Sequence, residues 1–495
     1  MQLQTQNRDF EEKVQVYEEK AQVADERIKY LEFQIEQLKR LIHGSKRERF
    51  ISNAAVNQLT LPFELEDSPV AEKAPESQQI TYTREKTKCS NHPGRCEFPS
   101  HLPVVDVFIE PEESTEGMVC IGEEITSELE LDPGRLFVRK IHRKKYALPN
   151  GEGILIGKLP VRPIEKGIPG AGLLANIAVE KFVDHLPIYR QIERFKREDI
   201  KITDSTIDNW ITKTAELLDP LYEYLKRLVL GQGYLQVDET PIKVLDRDKK
   251  GTTHQGYYWV YHSPLQNAVF FDYQPGRGRA GPAQMLNHFK GYLQTDGYAV
   301  YDWFAQKQGI THVGCMAHAR RNFEKALSYD AEKAGLVLQK IQQVYAIERK
   351  AREQSLSPEQ RKELRLNESL PILNELGKTL AMMNKTAAPR SPMGLALEYM
   401  IKRWDILLSY LYDGSLEIDN NLVENAIRPN AIGRKNCLFA GSHNGARRSA
   451  IFYSFFGTCK KHNINPWQWL KKVLEIIPEY PANKLADLLP QNMKL

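Results

Sequence analysis

The chain has 495 residues, 41% of them apolar and 27% charged, which suits a folded protein of roughly three domains. Its net charge of +4, from 68 basic and 64 acidic residues, is too small to establish a nucleic-acid partner by itself. Six cysteines make no disulfide scaffold and fit a reducing, cytoplasmic compartment, and without a signal core or a run of about 18 apolar residues no membrane span is expected.

Phe10, Val14, Tyr17, Ala21, Ala24, Ile28, Leu31, Ile35, Leu38 and Ile42 recur at alternating steps of four and three. This heptad pattern predicts a coiled-coil helix over 1–45 whose narrow seam needs a partner. The partner is a second copy or another part of the chain, and self-association is the favoured expectation. Residues 46–100 are polar and carry Pro62, Pro69, Pro75, Pro93 and Pro99, so they read as linker. Over 101–160 short β-branched runs alternate with turn residues, which predicts a small β-rich module. Arg135, Arg139, Lys140, His142, Arg143, Lys144 and Lys145 make a basic ribbon there. It suits DNA phosphates or a solvated sheet face equally.

Residues 161–230 read as helical, with a break at Pro187 and a cap at Thr203 or Ser205. A helix-turn-helix over 175–215 is compatible with this pattern without being demanded by it. Next comes Gly233-Tyr-Leu-Gln-Val-Asp-Glu-Thr-Pro-Ile-Lys-Val-Leu-Asp246, a strand-like run with an acid in its middle. A carboxylate in such a strand needs a partner or a role, although an acid on a wet edge face is the commoner case. Runs at 256–261 and 267–273 complete an antiparallel meander. A short helix over 280–290 leads to Tyr292 and Leu293, then to Asp296 before Gly297, where a plain turn is the simpler reading. His312 to Ala317 reads as a further strand, with His318 and Arg320 entering a long helical run.

Residues 320–412 are charged and helix-rich, and read as an insertion. In Asp419-Asn-Asn-Leu-Val-Glu-Asn-Ala-Ile-Arg428, Asn421, Glu424 and Arg428 share one face of a helix capped by Asp419 or Asn420. An ordinary surface helix with an internal Glu–Arg pair explains that spacing as well. Arg434, Lys435, Arg447 and Arg448 lie in a basic, glycine-bearing stretch that suits phosphates or solvent, with no Gly-x-x-x-x-Gly-Lys loop. Residues 449–477 return to a helical pattern.

Several of these segments together resemble the transposases of the insertion sequence 66 family, which belong to the acidic-triad (DDE) class. They are VDETPIKV at 237–244, TDGYAVY at 295–301, GCMAHARRNF at 314–323, DNNLVENAIRPNAIGRKNCLFAGS at 419–442 and GARRSAIFYSFFGTCKKHNINPWQWL after it. The resemblance implies an α/β catalytic core with a ribonuclease-H-like mixed sheet over 231–448. A large helical insertion interrupts it at about 320–415, and a C-terminal helical region fills 449–495. It makes 161–230 a helical DNA-binding region. It implies that Asp238, Asp296 and Glu424 are the catalytic acids and hold two Mg²⁺ (or Mn²⁺) ions. His318, Arg320, Asn421, Asn425 and Arg428 become supporting residues, and Arg434, Lys435, Arg447 and Arg448 DNA contacts. The implied activity is metal-dependent cleavage at the 3′ ends of a mobile element followed by strand transfer. The implied partners are element ends, target DNA, a second protomer and accessory proteins of the same element, in a nucleoid-associated setting. A catalytically inactive DNA-binding protein and a nuclease without strand transfer are the alternatives. Family members often carry a zinc-finger-like domain near 85–150. Here Cys89, His92, Cys96 and Cys120 are irregularly spaced, so a structural zinc is not expected.

Overall fold

A computed structural model describes residues 17–35 except 19, the backbone of 145–147 and 154–156, and residues 161–493 except 166 and 246–251. The chain divides into two units, Arg47–Lys158 and the combination of Met1–Lys46 with Leu159–Leu495. In the smaller unit β1 (Lys145–Ala147) and β2 (Ile154–Ile156) form an antiparallel pair with Tyr146 opposite Leu155. The linker, Cys89, His92, Cys96, Cys120 and the basic ribbon from Arg135 to Lys144 lie outside the described residues.

Among the described residues the first helix of the larger unit, α1, covers 17–35 except 19. After it come α2 (Ala171–Phe182), α3 (Ile188–Arg197) and α4 (Asp204–Leu230). Thr203 caps α4 by accepting a 3.3 Å hydrogen bond from the Thr206 amide. Ile207, Trp210, Ile211, Leu218, Leu221, Leu225 and Val229 recur at helical spacing on α4, and all are buried in the core beneath the sheet.

The sheet contains β3 (Tyr234–Leu245), β4 (Thr253–Ser263) and β5 (Ala268–Gln274), then α5 (Ala280–Met285), β6 (Gly291–Gln294), α6 (Ala299–Ala305) and β7 (Ile310–Val313). Strand order is β5-β4-β3-β6-β7. The first three strands form an antiparallel meander, and β6 and β7 add parallel on its other side. The first and fourth strands are therefore neighbours. The fifth ends at Val313, earlier than the sequence suggests, because the backbone turns there into α7 (Met316–Ala326), which carries His318.

Beyond α7 come α8 (Ala331–Glu353), α9 (Pro358–Leu364), α10 (Leu370–Thr386), α11 (Pro392–Lys402) and α12 (Trp404–Leu408), with a π turn at Arg365–Ser369. These helices bury their own core of Val337, Ile341, Leu373, Leu376, Leu397 and Met400, contiguous with Val313 and Met316. Then α13 (Asn421–Asn436), α14 (His443–Lys461) and α15 (Pro466–Ile476) return to the sheet. The edge strand β5 is covered by α14. Ser454 Oγ accepts from the Phe271 amide at 2.8 Å and Thr458 Oγ1 from the Val269 amide at 3.2 Å. The basic stretch around 434–448 is largely helical rather than a loop. Arg434 and Lys435 close α13, Arg447 and Arg448 lie on α14, and only 437–442 connect them.

The α1 helix docks through the face opposite its heptad seam. Tyr30 and Phe33 meet the ring of Tyr329 edge-on, at 6.2 and 5.4 Å between centroids. Lys29 pairs with Asp330 at 2.9 Å, and buried Glu26 pairs with Lys333. The seam residues Tyr17, Ile28, Leu31 and Ile35 all remain at least half exposed.

Candidate active site

The site rests on a repeat within the sheet. Gly233-Tyr-Leu-Gln-Val-Asp238 and Gly291-Tyr-Leu-Gln-Thr-Asp296 differ at one position and occupy adjacent parallel strands. They pair in register, Tyr234 opposite Tyr292, Leu235 opposite Leu293 and Gln236 opposite Gln294. Each aspartate therefore follows its paired glutamine by two residues.

Asp238 Oδ1 accepts from the Glu239 amide at 2.8 Å. Burial pushes the Asp238 carboxyl well above the usual carboxylate range, and the negative charges of Asp296, Glu239 and Glu424 push the same way. Glu239 is raised by burial too. It is held by Tyr301, whose hydroxyl donates at 2.7 Å, and by Arg277, whose Nε donates at 2.9 Å.

The second acid lies in a tight turn. Asp296 Oδ1 accepts from the Tyr298 amide at 2.9 Å, and Gly297 has φ +91°. A Cβ on Gly297 would come within 2.5 Å of Arg403 Nε, so close approach and backbone conformation both require glycine. Tyr399, on α11, donates to the Asp296 carbonyl at 2.6 Å, and Arg403 to the Gly297 carbonyl at 2.8 Å.

The glutamine pair also carries the third acid's helix. Gln236 Nε2 donates to Gln294 Oε1 at 2.9 Å and to the Asp419 carbonyl at 3.0 Å, while its Oε1 accepts from the Val423 amide at 3.3 Å. Gln294 Nε2 donates to the carbonyls of Gly314 and Glu417 at 3.0 and 2.8 Å. Asp419 accepts from the Asn421 amide at 3.1 Å and from the Tyr345 hydroxyl at 2.7 Å. The start of α13 is thereby tied to both acid-bearing strands, with Glu424 in its first turn.

Around Glu424 stand Arg321 Nη2, 3.4 Å from Oε2, and His318 Nδ1, 3.6 Å from Oε1. Glu424 Oε1 is shielded from solvent and accepts no hydrogen bond. Arg321 Nη1 lies 3.1 Å from His318 Nε2 and must donate to it, which assigns the ring proton to Nδ1, facing Glu424 and Cys315 Sγ. Burial lowers the affinity of His318 for a second proton.

The other predicted residues scatter. Arg320 pairs with Glu324 at 3.0 Å, and Asn421 donates to Asp419 at 2.8 Å. Asn425, Arg428 and Lys435 lie exposed on α13. Arg434 reaches the Pro241 carbonyl, while Arg447 pairs with Asp219 at 3.2 Å and Arg448 with Asp208 at 3.6 Å. Among the described residues, no three His, Cys, Asp or Glu side chains stand close enough together to hold a metal ion. Nor is any helix among them long and apolar enough to cross a membrane. Sequence reasoning passed over Gln236, Gln294, Arg321, Tyr399 and Arg403. For the glutamines a signal existed, because two six-residue segments are nearly identical.

Comparison with known proteins gives one answer. The family described as "Transposase IS66 family" matches residues 166–448, and "IS66 C-terminal element" matches 454–491. "Transposase C of IS166 homeodomain" matches 30–107. Among curated proteins, the uncharacterized protein y4jD of Sinorhizobium fredii is 31% identical over 484 residues, covering 92% of this chain and 93% of its own. The uncharacterized protein y4qI of the same organism is 31% identical over 479 residues, 92% of this chain and 87% of its own.

Proposed function

From the premise that this chain belongs to the IS66 family of transposases, we propose that it cleaves the 3′ ends of a mobile element and joins them to target DNA. Asp238, Asp296 and Glu424 are the catalytic acids of this reading. The observation that carries it is the register of β3 and β6, which gives Asp238 and Asp296 equivalent positions while Gln236 binds the start of the Glu424 helix. A strand order with the first and fourth strands adjacent supports a ribonuclease-H-like core.

The donor chemistry suits hard divalent cations, and the three carboxylates, which do not stand close enough together here to hold an ion, would have to draw in around one. Three carboxylates supply oxygen ligands, burial and then the charges of Asp296 and Glu239 disfavour a bare negative charge on Asp238, and Glu424 Oε1 lacks a hydrogen-bond donor. Asp238, Asp296 and Glu424 would hold Mg²⁺ or Mn²⁺, in the family's manner two ions. When bound, the ions supply charge neutralisation and Lewis acidity at the phosphate.

The remaining chemistry belongs to the chain and the DNA. Water first attacks the phosphodiester at the element's end, and the 3′ oxygen leaves. The freed 3′ hydroxyl then attacks a target phosphodiester in a second in-line displacement. Neither step needs a covalent intermediate with the protein. Tyr399 and Arg403 orient the Asp296 turn, and Gln236 and Gln294 hold the approach to Glu424. His318, neutral and with its proton on Nδ1, and Arg321 flank that carboxylate. The exposed seam of α1 is available to a second protomer, which would bring two element ends together. Accessory proteins of the same element complete this assembly.

The test is a cleavage and strand-transfer assay on a duplex carrying the element's end, with Mg²⁺ or Mn²⁺ and any accessory proteins. Folded Asp238→Asn, Asp296→Asn and Glu424→Gln variants are compared with wild type. Loss of joined products in all three is expected. Equal activity in wild type and variants would remove the proposed site, and cleavage without joining would favour a nuclease.

A further inference from the structure

The arginines that the sequence nominated for phosphate are partly engaged by acids, Arg447 by Asp219 and Arg448 by Asp208. Another cationic surface is compensated at Arg277, which pairs with Glu239, but not at its two outer cations among the described residues. After β5 the chain runs Pro275-Gly-Arg-Gly-Arg-Ala-Gly281, exposed from Pro275 to Ala280. The Arg279 guanidinium lies 4.7 Å from the ring centroid of Trp303 on α6, and Lys307 Nζ lies 4.4 Å from it. Among the described residues neither cation has a carboxylate within ion-pair distance. Trp303 itself is 36% exposed, unusual for the largest side chain.

An aromatic ring positions a cation without neutralising it. Two long side chains that would otherwise sweep solvent are thereby partly ordered, and the entropy cost of grasping an anion is reduced. The patch joins directly to the acids. Arg277, two residues before Arg279, stacks 4.1 Å over Tyr298 and bonds Glu239, the neighbour of Asp238. Tyr298 is in turn the residue whose amide closes the Asp296 turn.

We propose that Arg279 and Lys307, held by Trp303, bind consecutive phosphates of a DNA strand and lead it past Arg277 to the acid pair. This rests on the transposase reading for its destination, and on the geometry for the contact itself. These contacts position the strand without reading its bases.

The experiment measures binding of the whole chain to a fluorescently labelled duplex of random sequence, without divalent metal, at several salt concentrations. Each phosphate contact contributes about 0.9 to the log–log salt slope, so Arg279→Ala/Lys307→Ala is expected to flatten it by about 1.8. Between about 50 and 200 mM salt, the double variant should lose about twelvefold less affinity than wild type loses. The charge-conserving Arg279→Lys/Lys307→Arg variant should keep the wild-type slope. An unchanged slope in the folded alanine variant overturns the inference, as does equal flattening in the charge-conserving one. Absence of any salt-dependent binding by wild type would overturn it together with the transposase reading. Retained cleavage by Asp238→Asn would remove the proposed acids and leave the slope result standing.

Discussion

Replacing Gln236 with leucine tests the connection between the sheet and the Glu424 helix. The two side chains have similar volume, so little cavity is created. What disappears is a set of buried hydrogen bonds, to the Asp419 carbonyl at 3.0 Å, from the Val423 amide at 3.3 Å, and to Gln294 at 2.9 Å. Gln236, Gln294 and Asn420 are fully shielded from solvent, so water does not readily replace those partners. The Val423 amide keeps the Asn420 carbonyl at 3.1 Å, so the Asp419 carbonyl is the backbone group left stranded, and an orphaned buried polar group costs about 1–3 kcal/mol. The expected result is destabilisation of that order in urea unfolding, with weakened hydrogen-exchange protection at the Val423 amide, which then shares its proton with the Asn420 carbonyl alone. Cleavage should fall more steeply than DNA binding, because Glu424 loses its fixed approach while the basic surfaces do not. Gln236→Glu retains an acceptor for Val423 but loses the amide donor and places a carboxylate near Asp419, so it should not rescue. Stability within 0.5 kcal/mol of wild type, together with normal protection at Val423, would refute the reasoning.

Three further outcomes follow from the packing. Arg365 is fully buried and bonds Glu348, itself fully buried, and the carbonyls of Tyr410, Asp413 and Leu416. Arg365→Met should cost about 3–5 kcal/mol in chemical unfolding, much of it recovered by Arg365→Met/Glu348→Leu, and a cost below 1 kcal/mol would contradict this. Burial pushes the Asp272 carboxyl up to about 6, from 3.8, so the folded chain binds this proton more tightly than the unfolded chain does. Stability is therefore lost as pH rises through that window, by about 3 kcal/mol for about two units. Asp272→Asn should raise the thermal midpoint at pH 8 and leave it unchanged near pH 4, and a gain equal at both values would sink the assignment. Finally, Leu31→Glu on the exposed seam of α1 should dissociate protomers in sedimentation experiments while Tyr30 and Phe33 stay docked, and an unaltered sedimentation coefficient would place the interface elsewhere.

How much of this was legible in the sequence depends on how each residue acts. The caps and periodicity of α4 were readable, because Thr203 and the buried Ile207, Trp210 and Leu218 work through local spacing. The heptad of α1 was readable too, but its docked face was not. Glu26, Tyr30 and Phe33 follow no apolar repeat, and buried Glu26 is held by Lys333 and by the Tyr329 hydroxyl, both distant in sequence. The adjacency of Asp238 and Asp296 needed a guess about strand order, although the repeated Tyr-Leu-Gln segment was in plain view. Glutamine in an apolar strand reads as a blemish until its partner strand presents the same residue at the same level. The basic stretch around 434–448 misled in the opposite direction. Gly441 does lie in the short connector, whereas Gly445 lies inside α14, and Arg447 and Arg448 meet acids distant in sequence.

Least legible was the work of the helices between α7 and α13. They separate Asp296 from Glu424 along the chain, yet they return to both places. Tyr399 and Arg403 hold the carbonyls of Asp296 and Gly297, Tyr345 holds Asp419, and Arg365 fastens the carbonyls from Tyr410 to Leu416 that lead into α13. Each contact ends on a backbone carbonyl or a capping acid, which leaves no spacing rule in the sequence. A flexible connection of that length would pay loop-closure entropy and leave Glu424 free to wander. Helices with their own apolar core instead fix the turn at one end and the helix entry at the other. The segment that looks like an interruption of the sheet is therefore part of what orients its proposed acids.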